Sequence, residues 1–190
     1  MISFFNNAGG SGEIRGRQIA NYLKAKLSPK EGYENDICIY VKCVPPTPCP
    51  NITYIDVLED SMGLRWVKYH PEVGIIASSV SIFEHLKNTL SNKIVLIPQH
   101  HCNFKREVRK RAKVEIAGIC GNSHSFQYSL NELSSRLKLI DVELKTLVKK
   151  KFKDREEVVE FYKSIDVQLI WRPGTDGVIK NPLKLVNAMS

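Results

Sequence analysis

The sequence lacks the features of secreted, membrane-spanning and zinc-finger proteins. Its five cysteines (Cys38, Cys43, Cys49, Cys102 and Cys120) include no Cys-x-x-Cys pair, so the pattern predicts neither a zinc site nor a disulfide framework. The longest apolar runs, such as "IVLI" at 94–97, are far too short to cross a bilayer, and the N-terminus has no secretory signal pattern. We therefore expect a cytoplasmic protein with reduced thiols, whose only membrane contact would be peripheral, with anionic lipid.

Acidic residues are fewer than basic residues. The chain has 28 Lys and Arg against 20 Asp and Glu, a formal net charge of +8, with basic runs at residues 105–113 and 149–155. This excess favours phosphate-bearing partners, although a solvated helical face would have the same composition. Nucleic acid is disfavoured as the partner, because no aromatic residues are interleaved with the basic runs as stacking platforms.

Short apolar runs alternate with amphipathic stretches, which is typical of βαβ units around a parallel sheet. In the first half the pattern predicts strands at 2–6, 36–43, 53–57, 74–78 and 93–98, with helices at 12–27 and 80–90. It restarts after residues 102–112, with strands at 113–121, 142–148 and 166–171 and helices at 123–140 and 154–165. The predicted fold is therefore α/β, with two Rossmann-like lobes (1–105 and 112–190) facing each other across a cleft.

A glycine-rich stretch, "NNAGGSGEIRGRQIANYL" at residues 6–23, follows the first predicted strand. Gly10 and Gly12 would let the backbone approach a ligand, and the helix N-terminus would offer N–H groups to an anion. Arg15 stands where a dinucleotide fingerprint has a third small residue, so that motif is not matched. A tight strand-to-helix turn that needs glycine explains the same pattern.

Two adjacent histidines follow the strand predicted at 93–98. His100 or His101 could serve as a base, as a hydrogen-bond donor to a ligand, or as a packed polar residue. Neighbouring side chains of an extended chain point to opposite sides, so at most one is expected to face a ligand. No second metal ligand lies at helical or hairpin spacing, and we predict no metal here.

The second half has two further candidate regions. In "AGICGNSH" (117–124), Gly118 and Gly121 could free backbone N–H groups for a diphosphate, and Asn122 could bind a ligand or cap the next helix. Near the C-terminus, Asp176 is followed by Lys180 and Lys184 around a helix start at Asn181-Pro182. Two cations beside a helix N-terminus suit phosphate and ribose recognition.

The order of these motifs, ending in "EVVEFYKSIDVQLIW…GVIKNPLKLVNAM", resembles the GT-B glycosyltransferases, especially the retaining, glycogen-synthase-like families. The resemblance spans the chain and is most specific over its last thirty residues. It implies that Gly10 and Gly12 approach the donor phosphate or the acceptor, that His100 or His101 contacts sugar, and that Asp176 to Lys180 lie near the transferred sugar. Lys184 matches the family's Pro-x-Lys lysine near the diphosphate, and Asn187 stands in place of its ribose-binding glutamate.

The resemblance thus implies a sugar transferase that uses a nucleotide-diphosphate sugar as donor, a glycan or other hydroxyl as acceptor, and no cofactor. His100, His101 and Asp176 are the candidate catalytic residues. The candidate donor-binding residues are Gly10, Gly12, Arg15, Gly118, Gly121, Asn122, Lys180, Lys184 and Asn187. The alternative is a non-catalytic α/β protein that binds a nucleotide or a partner. Because the chain stops soon after the Pro-x-Lys motif, we also expect the second lobe to be incomplete.

Overall fold

The computed structural model describes residues 1–7, 10, 12–57, 62–99, 111–121, 126, 128–149 and 155–171. The chain divides into two compact units. Unit 1 contains residues 1–99, and unit 2 contains the described residues from 111 to 171. Within these ranges no helix is both long enough and apolar enough to cross a membrane.

Unit 1 is an α/β unit built on parallel strands. Its strands are β1 (Ile2–Asn6), β2 (Lys26–Leu27), β3 (Ile37–Val41), β4 (Ile52–Val57), β5 (Gly74–Ala77) and β6 (Ile94–Leu96). Its described α-helices are α1 (Ile19–Leu23), α2 (Met62–Val67) and α3 (Val80–Thr89), and Gly12–Gln18 form a π-helical segment that leads into α1. The strands form one parallel sheet in the order β2-β1-β3-β4-β5-β6.

The strand order reverses direction beside β1. The chain first steps outward from β1 to β2, then returns past β1 and winds the other way from β3 to β6. Right-handed crossovers put the connecting helices of the two directions on opposite faces of the sheet. The apolar cores are consistent with this arrangement. Phe4, Ala20 and Val41 pack together on the face that carries α1. Ile55 and Ile82 belong to a larger core that includes α2 and α3. The switch point between β1 and β3 is where open α/β sheets bind ligands.

Local signals explain where the helices of unit 1 begin and end. Ser79 caps α3, because its Oγ accepts a hydrogen bond from the Ile82 N–H at 3.3 Å. The helix predicted at 12–27 is wrong in its extent. It begins as π-helical turns and ends at Leu23, where Lys24 adopts a left-handed conformation (φ 52°) and turns the chain into β2.

Unit 2 is a smaller α/β unit. It contains β7 (Ile116–Gly121), α4 (Leu130–Lys138), β8 (Glu143–Val148), α5 (Arg155–Lys163) and β9 (Val167–Gln168), with a parallel sheet in the order β8-β7-β9. Phe161 and Ile165, from α5 and the turn after it, pack against Cys120 of the central strand. The Asp166 carboxylate accepts from the N–H groups of Glu115 and Ile116, both at 2.8 Å. This carboxylate ties the start of β9 to the start of β7.

Predicted elements of unit 2 are shorter than expected. The strand predicted at 113–121 is β7, which begins at Ile116. Within the predicted helix 123–140, α4 begins at Leu130 because Ser129 Oγ caps it by accepting from the Glu132 N–H. The strand predicted at 166–171 pairs with β7 only at Val167 and Gln168.

Both units are therefore α/β with parallel sheets, which confirms the predicted fold class and its Rossmann-like character in general terms. The GT-B arrangement, with two lobes facing each other, stays a prediction.

Candidate functional site

The carboxyl ends of β1 and β3 meet at the switch point of the unit 1 sheet. Asn7, directly after β1, donates from its side-chain amide to the Lys42 carbonyl at 2.8 Å, and its N–H donates to the Val41 carbonyl at 3.4 Å. Lys42 has a left-handed conformation, with φ 56°. These contacts hold the two strand ends together at the edge where a ligand would bind.

The glycine-rich segment packs directly on the end of β1. A Cβ on Gly12 would clash with the Asn7 carbonyl oxygen, and a Cβ on Gly16 would lie 2.8 Å from the Asn6 Cβ. The close helix–strand contact is therefore made by Gly16, one residue after Arg15. No described atom lies within 4 Å of the position that a Cβ on Gly10 would take. The structure gives a packing reason for Gly12, and the ligand-binding roles of Gly10 and Gly12 stay predictions.

Arg15 is buried at this edge, with an exposed fraction of 1%. Its Nε donates to Asp56 Oδ2 at 2.5 Å, and its terminal nitrogens donate to the carbonyls of Ile97 at 3.3 Å and Pro98 at 3.4 Å. Burial raises the pKa of Asp56, and the Arg15 guanidinium opposes that rise. Arg15 thus joins the π-helical segment to the ends of β4 and β6. Its predicted role in donor binding remains untested.

Two buried polar atoms at this edge lack a hydrogen-bond partner among the described residues. One is Asp56 Oδ1, near the end of β4, and the other is the Oγ of Ser78, directly after β5. Buried polar groups are nearly always paired, because an unpaired one costs about 1–3 kcal/mol. They lie at the edge where open parallel sheets bind ligands, which makes this acceptor and this hydroxyl candidate contacts for a bound molecule.

The described chain reaches this same edge again at Gln99. Its N–H donates to the Ser78 carbonyl at 2.8 Å, which aligns the chain after β6 with the end of β5. His100 and His101 follow in the sequence and lie outside the described residues. The same holds for Asn122, Asp176, Lys180, Lys184 and Asn187.

The two candidate glycines of unit 2 occupy different places on β7. Gly118 lies inside the strand, its carbonyl accepts from the Leu169 N–H at 2.8 Å, and a Cβ there would clash with the Ile165 side chain. Gly121 ends the strand with φ 153°, and its carbonyl accepts from the Lys149 N–H at 3.0 Å. Gly121 is therefore at the carboxyl edge, whereas Gly118 has a packing role. Their donor-binding roles stay predictions.

The amino edge of the unit 1 sheet carries a separate cluster. Cys49 lies in the loop before β4, and His70 and Glu72 lie in the turn before β5. One potential ligand atom from each residue lies within 4.8 Å of the others, which makes this the one group among the described residues that could hold a metal ion. It lies at the opposite end of the strands from the Arg15–Asp56 pair.

Sequence reasoning missed Asp56, Ser78 and the Cys49 cluster. Asp56 had a visible signal, because it interrupts the apolar pattern near the end of "TYIDV". No protein-family model, curated protein or solved structure matches the chain. The function is therefore inferred from the residues of this chain, from their geometry and from the resemblance of its motifs to the GT-B glycosyltransferases.

Proposed function

We propose that the protein is a glycosyltransferase that moves a sugar from a nucleotide-diphosphate sugar to a hydroxyl acceptor. The observation that carries the proposal is the carboxyl edge of unit 1. There the glycine-rich segment packs on the end of β1 beside the buried Arg15–Asp56 pair, and Asp56 Oδ1 and Ser78 Oγ are buried without a partner among the described residues.

Three features support this proposal over a purely structural reading of the edge. The edge includes the topological switch point between β1 and β3, where open parallel sheets bind ligands, and Asp56 and Ser78 lie at the ends of the next two strands, β4 and β5. Two of its buried polar atoms have no hydrogen-bond partner among the described residues, and a bound sugar or phosphate would supply one. The chain carries a net charge of +8, which suits a donor with an anionic diphosphate.

In the proposed reaction, the acceptor hydroxyl attacks the anomeric carbon of the donor sugar. The new carbon–oxygen bond forms as the bond to the diphosphate breaks, and the hydroxyl proton passes to His100 or His101. Lys180 and Lys184 stabilise the charge that develops on the departing diphosphate. Catalysis then depends on positioning and on electrostatic stabilisation by the chain's own residues.

Binding and transfer are tested separately on the 190-residue chain. Calorimetric titration with uridine, guanosine and adenosine diphosphates should identify one preferred nucleotide. The matching nucleotide-sugar should then be consumed in the presence of a glycan acceptor, with stoichiometric release of the nucleoside diphosphate. Nucleotide binding without any turnover would instead support the non-catalytic alternative, and the absence of both would contradict the proposal.

Ser78→Ala tests whether the edge itself binds the ligand. Loss of one hydrogen bond of about 1–1.4 kcal/mol should lower kcat/KM by roughly 5- to 10-fold. The melting temperature should stay the same or rise, because the variant removes a buried hydroxyl that has no partner among the described residues. Ser91→Ala, which changes an exposed serine between α3 and β6, is the matched control and should leave both quantities unchanged. Equal activity of the two variants would place the ligand elsewhere.

A further inference from the structure

The Cys49 cluster brings three different metal-binding groups together from two connections. The parallel sheet places the amino ends of β4 and β5 side by side, so the loop before β4 meets the turn before β5. The cluster therefore offers a thiol, an imidazole and a carboxylate within 4.8 Å of one another. His70 Nδ1 and Glu72 Oε1 are already 3.0 Å apart.

The turn that carries His70 and Glu72 is held in place by its surroundings. The indole of Trp66 stacks on the His70 ring, with centroids 3.6 Å apart and planes inclined by 11°. The Asn92 side-chain amide donates to the carbonyls of Val67, His70 and Val73 at 3.3, 2.8 and 2.9 Å. The ligand-bearing turn is thus ordered before any ion arrives, which lowers the entropic cost of binding.

We propose that Cys49, His70 and Glu72 bind one zinc ion. Zinc prefers sulfur, nitrogen and carboxylate ligands at about 2.0–2.3 Å in a tetrahedron, which requires ligand atoms roughly 3.3–3.8 Å apart. The ligand atoms lie within 4.8 Å of one another, so binding would require small rotations of the Cys49 and Glu72 side chains, neither of which is fully buried. A water molecule completes the tetrahedron. Magnesium and calcium are disfavoured, because they take oxygen ligands.

The zinc ion would tie the loop before β4 to the turn before β5. It lies at the opposite end of these strands from Asp56 and Ser78, so it does not take part in the proposed sugar transfer. Its effect is on the stability of unit 1, because an ion that binds only the folded chain shifts the folding equilibrium towards it. The proposal is therefore independent of the proposed function.

Cobalt(II) is the probe for the ligand set. The 190-residue chain is stripped of metal, reduced with a phosphine and titrated with Co²⁺. We expect one equivalent to bind, with the sulfur-to-cobalt charge-transfer absorption of a thiolate ligand. Cys49→Ser should abolish that absorption. His70→Phe, which keeps a ring to stack on Trp66, and Glu72→Gln should each weaken binding at least about 10-fold.

Matched controls are available for all three ligands. Cys43→Ser, His85→Ala and Glu84→Gln change the same residue types outside the cluster and should bind Co²⁺ like the wild type. Circular dichroism of the metal-free variants checks that each is folded. If His70→Phe does not fold, Cys49→Ser and Glu72→Gln still test the ligand set.

A thermal measurement with Zn²⁺ supplies the second readout. Equimolar Zn²⁺ should raise the melting temperature of the wild type and the controls, and should not raise that of Cys49→Ser. The proposal is overturned if the wild type shows no charge-transfer absorption, if Cys49→Ser keeps it, or if Zn²⁺ stabilises Cys49→Ser as much as the wild type.

Discussion

Two ion pairs near the start of the chain show how burial changes the importance of an arginine. Arg15 and Asp56 are almost fully buried, with exposed side-chain fractions of 1% and 3%. Arg17 pairs with Glu13 at 2.9 Å, yet the Arg17 side chain is 56% exposed. A buried charge that loses its partner is destabilising, whereas an exposed pair contributes little.

Asp56→Ala should therefore lower the free energy of unfolding by about 3–5 kcal/mol, because it leaves the Arg15 charge buried without its carboxylate. Glu13→Ala, which removes the half-buried partner of the exposed Arg17, should cost at most about 1 kcal/mol. Urea unfolding followed by circular dichroism measures both. Replacing both buried partners, as Arg15→Met with Asp56→Leu, should restore part of the loss. Equal losses of unfolding free energy in Asp56→Ala and Glu13→Ala would show that burial does not increase the contribution of the Arg15–Asp56 pair.

At the scale of whole elements, one carboxylate joins three strands at the amino edge of unit 1. Asp36, directly before β3, accepts hydrogen bonds from Ser3 Oγ of β1 at 2.8 Å and lies 2.9 Å from Lys26 Nζ of β2. The hydrogen bond with Lys26, followed by the one from Ser3, lowers the pKa of Asp36 below its usual 3.8. The strand β2 has only two residues, and this contact adds to its backbone pairing with β1.

This lowered pKa gives the stability a defined pH dependence. A carboxylate with a lowered pKa in the folded state stabilises the fold above its unfolded-state pKa, and that contribution is lost as the pH falls through the folded value. The melting temperature of Asp36→Asn should therefore lie below that of the wild type at pH 7, and the gap should close on acidification below about pH 4. A gap that stays constant from pH 7 to pH 3 would contradict this role. Ser3→Ala should show a smaller gap with the same direction.

The elements that sequence patterns predicted best are those with strong local signals. β1, β4, β5 and α3 lie within one residue of their predicted bounds, because apolar strands and a serine cap are visible in the sequence. α2 was not predicted, since its six residues are too few to show a helical period. β2 was absorbed into the preceding helix, because only the left-handed turn at Lys24 separates them.

Only those parts of the candidate site whose residues are close together in the sequence could be predicted. The glycine-rich segment after β1 is a local motif, so the sequence placed it correctly at the end of the first strand. The Arg15–Asp56 pair joins residues 41 positions apart, and Cys49 and His70 meet only because two parallel strands lie side by side. Pairings of this kind depend on the strand order, which no local pattern contains.

At the scale of the whole molecule, each unit has its own sheet and its own apolar core. We expect the units to open separately in the native state, because cooperative unfolding follows such cores. Gly118→Ala tests this, since its new methyl group would clash with Ile165 inside unit 2. It should destabilise unit 2 by about 1–3 kcal/mol. Hydrogen exchange read by mass spectrometry should show faster exchange in β7 and β8, with β3 and β4 unchanged. Equal loss of protection in both units would show that they unfold together.

The Ser78 hydroxyl is buried and has no partner in the described part of unit 1. This affects which variants of the chain a stability screen would select. If the hydroxyl serves a ligand, the free chain carries its desolvation as a standing loss of stability. A mutant library screened for heat resistance alone would then enrich replacements of Ser78. These variants would lose function, and the screen would not select against that loss. Screening the same library in the presence of saturating ligand would reverse that preference, since only chains that keep the serine gain the full protection of the bound molecule.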